Sequence, residues 1–189
     1  MKKLSVIATL LLAVLLLQKC TKDTISATAT SSTLLFAVIN DTTWNADTIK
    51  ASITYNAANN TKVFACNAVG NNKGVSLAVT QTIGATNTDG FPIASNFKAD
   101  AAGNNTFVFN TIQRNQQGNL TLAPMGTVAP GSGSLYISAI DSVKKTVTGT
   151  FSFTSILNNY DGSGNVTSTT VSQIAAGAFN NLPYTFSSK

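Results

Sequence analysis

The sequence predicts an all-β protein, an antiparallel β-sandwich, with a partly open β-barrel as the alternative. Three observations lead there. Apolar residues recur at spacing two, the period of a strand with one buried and one wet face. Breaks between these runs are rich in Asn, Asp and Gly, which tolerate the positive φ of tight hairpins. Helical periodicity is nearly absent beyond the first 20 of the 189 residues.

The chain opens with Met1, Lys2 and Lys3, then an apolar run from Leu4 to Leu17. Basic residues before a short apolar stretch are the layout of a secretory signal peptide, here residues 1–19. A helix over that run would reach about 21 Å, short of the roughly 30 Å of hydrocarbon in a bilayer. It ends in Leu17-Gln18-Lys19-Cys20. Leu three residues before Cys resembles a bacterial lipobox, which implies lipidation of Cys20, by palmitate among other acyl chains, and attachment to the membrane. Lys19 departs from the small residue usual before that Cys, a position where Bacteroidota lipoproteins are looser. Lys22-Asp23 resembles their surface-export signals. The chain is therefore expected in the cell envelope as an outer-membrane lipoprotein, surface-exposed or facing the periplasm. Residues 20–33 carry one large apolar side chain, Ile25, and read as a flexible tether spanning very roughly 20 Å. Residues 34–189 are long enough for one domain with its own core.

Strand patterns follow in order. Phe36 and Val38 alternate toward Trp44, then Ile49, Ala51, Ile53 and Tyr55. Val75, Leu77, Val79 and Ile83 come next, then Phe107 and Phe109, Leu135 and Ile137, and finally Val147, Gly149, Phe151 and Phe153. Turn chemistry stands at Asn40-Asp41, Asn59-Asn60, Gly70-Asn71-Asn72, Asp89-Gly90, Gly103-Asn104-Asn105, Gly118-Asn119 and Asp161-Gly162-Ser163-Gly164-Asn165. That spacing predicts about nine strands. Residues 122–134, with two prolines and three glycines, are expected to form a long surface loop.

Composition narrows the function. Charged residues make up 10% of the chain, and the acidic ones are all Asp. The formal charge is +5, but Lys2, Lys3 and Lys19 would leave with the signal peptide, so 9 basic residues face 7 acidic ones, near +2. The lysines are scattered and Arg114 is the only Arg, so no basic stripe could track phosphates and nucleic acid is not an expected partner. There is no His, and Cys20 and Cys66 are the only cysteines, which argues against the usual transition-metal sites. Cys66, in an apolar strand pattern, reads as a small buried hydrophobe.

Phe36-Ala37-Val38 before Trp44, the segment Gly149-Thr150-Phe151, and the closing Gly177-Ala178-Phe179 together resemble a group of small Bacteroidota lipoproteins classed under domains of unknown function. The resemblance covers most of the chain after Cys20. It implies an all-β envelope lipoprotein and no particular activity.

Several local patterns suggest chemistry, each with a plainer reading. Ser142 and Lys145 have the Ser-x-x-Lys spacing of penicillin-binding enzymes, but that motif needs a helix to align its side chains, and here it falls in an expected hairpin. Asp161, Ser163 and Asn165 alternate like the first ligands of a calcium loop, yet Val166 replaces the expected glycine and no Glu follows. A glycosidase would need two facing carboxylates, and the aspartates sit mostly in turns. No catalytic residue, metal or cofactor is expected. Tyr160, beside Asn158 and Asp161 in a polar loop, is the best candidate for an exposed aromatic that contacts a glycan. Asp23-Thr24-Ile25 fits a Bacteroidota O-glycosylation pattern, which makes Thr24 a candidate modification site. The function expected first is a non-catalytic binding or structural surface domain, acting on a glycan or a protein. Its alternatives are a carbohydrate-binding module and a carrier of a small apolar ligand inside the fold.

Overall fold

In a computed structural model, residues 33–189 are described. The segment expected to be a signal peptide (1–19), Cys20, Thr24 and the expected tether up to residue 32 lie outside them. The described residues form twelve strands and no helix. In chain order these are β1 (Leu35–Ile39), β2 (Thr42–Asn45), β3 (Thr48–Asn56), β4 (Thr61–Gly70), β5 (Lys73–Gln81), β6 (Asn96–Phe97), β7 (Thr106–Arg114), β8 (Leu120–Pro124), β9 (Ser134–Asp141), β10 (Thr146–Tyr160), β11 (Val166–Pro183) and β12 (Thr185–Ser188). One sheet has the order β2-β1-β11-β10-β9-β6 and the other β12-β3-β4-β5-β7-β8. Neither closes on itself, so the fold is a β-sandwich and not the alternative barrel. Every pair is antiparallel except β12 on β3.

The turn residues sit where positive φ is needed. Asn40 and Asp41 join β1 to β2 at φ 48° and 61°, and Asn71 and Asn72 join β4 to β5 at 44° and 60°. Side chains that hydrogen-bond locally make Asn and Asp the cheapest non-glycine residues there.

The core lies between the sheets. Phe64 of β4 meets Phe179 of β11 with ring centroids 5.9 Å apart, and Phe107 of β7 meets Phe153 of β10 at 5.8 Å. Two glycines make room for these rings. Gly149 pairs across the ladder with Phe179, and Phe151 pairs with Gly177. A Cβ on Gly177 would stand 2.5 Å from the Phe151 ring, and one on Gly149 would stand 2.5 Å from the Phe179 ring. The Gly-Thr-Phe and Gly-Ala-Phe segments are thus two halves of one reciprocal arrangement, each ring lying over the opposite glycine. Trp44 is buried and its indole Nε1 donates to the Gly70 carbonyl at 2.7 Å, tying the first sheet to the second.

Four sequence expectations change. There are twelve strands instead of about nine, because β2, β6 and β12 are too short to show a period. Residues 122–134 are not one loop: Leu120–Pro124 is an edge strand, where Pro124 is tolerated. The longest irregular stretch is instead 82–95, and Ile83, 86% exposed, belongs to it and not to the core face of β5. On β1 the core takes Leu35, Ala37 and Ile39, while Phe36 and Val38 are half-buried on the opposite face. Both registers of that strand are apolar, so its pattern alone could not choose between them.

Candidate functional site

Surface grooves, clusters of ionisable side chains and exposed aromatics are the three kinds of feature that could act. The first sheet carries a groove in two adjoining parts. Its outer face carries the residues of β10 that alternate with the buried phenylalanines: Thr150, Ser152, Thr154, Ile156, Asn158 and Tyr160. Beside them, Ala175 to Ala178 of β11 are small, which leaves a depression along the sheet. One part, about 420 Å³, is lined by Lys98, Ser132, Ser134, Ser152, Thr154 and Gln173 among others. It continues past Ser134 and Ser152 into a second part of about 290 Å³ that reaches Thr150 and Ala178.

Ladder register adds two aromatics. Asn45, Phe36, Ala178, Thr150, Tyr136 and Asn96 are successive cross-strand partners on this face. Phe36 and the partly exposed Tyr136 therefore flank the small pair Ala178 and Thr150, about 14 Å apart at three strand spacings.

Hydrogen bonding divides the polar lining of this groove: Ser132 Oγ donates to the Ala129 carbonyl and Ser134 Oγ to Asn96 Oδ1, while the others are uncommitted. The side chains of Lys98, Thr150, Ser152, Thr154 and Gln173 make no hydrogen bond within the described residues. In a groove of about 450 Å³ on the second sheet, most of the polar side chains are already paired. Thr54 bonds Ser187, Thr61 donates to Asn59, and Thr80 donates to the Asn104 carbonyl.

The ribbon formed by the ends of β10 and β11 carries the glycan contacts expected from sequence. Tyr160 is 61% exposed, as expected, and its cross-strand partner Val166 is exposed too. Asn158 and Asp161 are largely committed elsewhere. Asn158 Oδ1 accepts from Thr169 Oγ1 at 2.8 Å. Asp161 closes the hairpin: Oδ1 accepts from the backbone N–H of Ser163 and of Asn165, each at 2.9 Å, and Oδ2 from Asn165 Nδ2. Those bonds, led by the Asn165 backbone N–H, hold its carboxyl below the usual range. The residues that resemble a calcium loop thus form a Gly-rich hairpin turn, and no cluster of three metal-ligating side chains exists among the described residues.

A compact ionic cluster stands at the 82–95 loop. Asp89 accepts from Lys145 Nζ and from Tyr184 Oη, the latter at 3.0 Å. The Ser142 hydroxyl lies against Asp89 and Tyr184. Lys145 holds the Asp89 carboxyl below its ordinary value, against the opposing effect of burial. Burial, with Asp89 adding to it, pushes the Tyr184 phenol up to about 12. Lys62 is buried nearby and donates to the Gly90 carbonyl at 2.5 Å and to Thr88 Oγ1 at 3.5 Å. Burial lowers its pKa, and the Asp89 charge opposes that. Ser142 and Lys145 both meet Asp89, with which Lys145 is ion-paired. The cluster pins a loop to the β9–β10 hairpin. Cys66 is buried in β4, and desolvation pushes its thiol up to about 12, which leaves it protonated and inert.

The exposure of Tyr160 was legible in the sequence, and Tyr136 was one of the aromatics it offered for stacking on a sugar, whereas Lys98 and Gln173 carried no signal. The polar half of the β10 alternation was visible in Thr150, Ser152 and Thr154. Nothing in the order of residues brings Lys98 and Gln173 to that strand. Comparisons with family models, with curated proteins and with solved structures find no match to this chain.

Proposed function

We propose that this chain is a lipid-anchored protein of the bacterial cell envelope, held at Cys20, whose β-sandwich is a non-catalytic binding domain for carbohydrate. The residues around Cys20 support the anchor. One observation carries the binding reading: the groove on the first sheet gathers hydroxyls, an amide and an ammonium that have no partner of their own. Ser and Thr hydroxyls and the Gln173 amide each donate and accept, which matches the mixed donors and acceptors of a sugar. Tyr136 and Phe36 offer apolar ring faces on which the C–H face of a pyranose can lie. A concave site with few placed polar groups is the usual form of a ligand site. Phenylalanine rings at about 6 Å centroid spacing occupy the space between the sheets, which favours a surface ligand over one carried inside.

The test is a glycan array probed with the full-length chain in detergent, alongside Thr154→Ala/Gln173→Ala and Tyr160→Ala. Binding is expected to fall at least tenfold in the double variant, the loss of about two hydrogen bonds to ligand. Loss in Tyr160→Ala alone would move the site to the ribbon tip. A blank array would overturn the carbohydrate reading and leave a protein-binding or structural surface domain.

A further inference from the structure

The groove holds a single charge. Lys98 is exposed, and its ammonium has no acceptor within the described residues. The two ion pairs among them belong to Lys144 with Asp141 and Lys145 with Asp89. No carboxylate lines either part of the groove. Asp100, two residues along the chain, is turned to its own loop, where Oδ1 and Oδ2 accept from the backbone N–H of Asn104 and Asn105, each at 2.9 Å. An uncompensated cation thus stands beside the free hydroxyls of Ser152 and Thr154 and the free amide of Gln173.

We propose that the groove selects acidic carbohydrate, with the anionic substituent of the sugar against Lys98 and its neutral hydroxyls against Ser152, Thr154 and Gln173. This rests on the carbohydrate reading and narrows it. Neutral groups that both donate and accept suit any sugar, and only the ammonium distinguishes among them. A carboxylate or a sulfate gains a charge-assisted bond there, whereas a neutral sugar leaves the ammonium to water. The site is open to solvent, so the preference is modest and weakens with salt.

The experiment titrates the full-length chain with a galacturonate oligomer, its fully methyl-esterified form and a sulfated neutral oligosaccharide of equal length. Lys98→Gln, Lys98→Arg and, as a control for net charge, Lys50→Gln are measured beside it. The acid is expected to bind about fivefold tighter than the ester, the scale of one exposed ion pair. That gap should close in Lys98→Gln, persist in Lys98→Arg and Lys50→Gln, and shrink at high salt. Tight binding of both acidic oligomers defines a general anion site, and of the galacturonate alone a carboxylate site; either supports the proposal. Equal binding of acid and ester overturns it, as does a gap that survives Lys98→Gln. If no oligomer binds, charged or neutral, the carbohydrate reading itself has failed.

Discussion

At the scale of single residues, glycine does much of the packing. Gly149 and Gly177 face Phe179 and Phe151 across the same two strands. The segments Gly149-Thr150-Phe151 and Gly177-Ala178-Phe179 were legible as strand material, but their mutual dependence was not, because 26 residues separate the first ring from its glycine. Gly177→Ala should therefore cost more than a propensity change. The new methyl meets the Phe151 ring at 2.5 Å, and overpacking of this kind costs about 1–3 kcal/mol. Urea denaturation of the variant should show a lower midpoint with an unchanged slope; an unchanged midpoint would mean that the ring moves aside freely.

Among the elements, the 82–95 loop and the β10–β11 hairpin show what pattern can and cannot reveal. The loop has no alternation because it is held by polar contacts to distant strands. Asp89 reaches Lys145 at the β10 end and Tyr184 just before β12. Asp89→Asn should lower stability by about 2 kcal/mol at neutral pH, since it replaces charge-assisted bonds with neutral ones. Asp89 has a depressed pKa in the folded chain, so its contribution is complete above the unfolded value near 3.9. That contribution fades as pH falls through the lower folded value. Melting curves of the two chains should be separated at pH 7 and converge in strong acid; a separation independent of pH would place the effect elsewhere. The hairpin poses the opposite problem. Phe151 and Phe153 marked β10, yet the Thr-rich start of β11 gave no period because both faces of that ribbon are wet.

For the molecule as a whole, the functional question joins two regions with different kinds of evidence. The proposed anchor rests on consecutive residues around Cys20, while the groove is assembled from β9, β10, β11 and the segment that carries Lys98. The anchor reading predicts that Cys20→Ala shifts the chain from the membrane fraction to the soluble fraction and abolishes incorporation of labelled palmitate. Equal partitioning of the two chains would instead indicate an ordinary cleaved signal with an incidental cysteine. β1 begins beside Phe179, at the end of the first sheet opposite the ribbon tip.

The sequence by itself determined the all-β class, most of the turns, the burial of Cys66 and the exposure of Tyr160. These depend on period two and on residues that accept positive φ, both properties of neighbours in the chain. Only the tertiary structure decided the phase of β1, the division into two open sheets, the reciprocal glycine–phenylalanine pairs and the placing of Lys98 and Gln173 along one groove. Each of those depends on which strands lie side by side. Strand order is set by the burial that all twelve strands achieve together, and no local window of residues contains it.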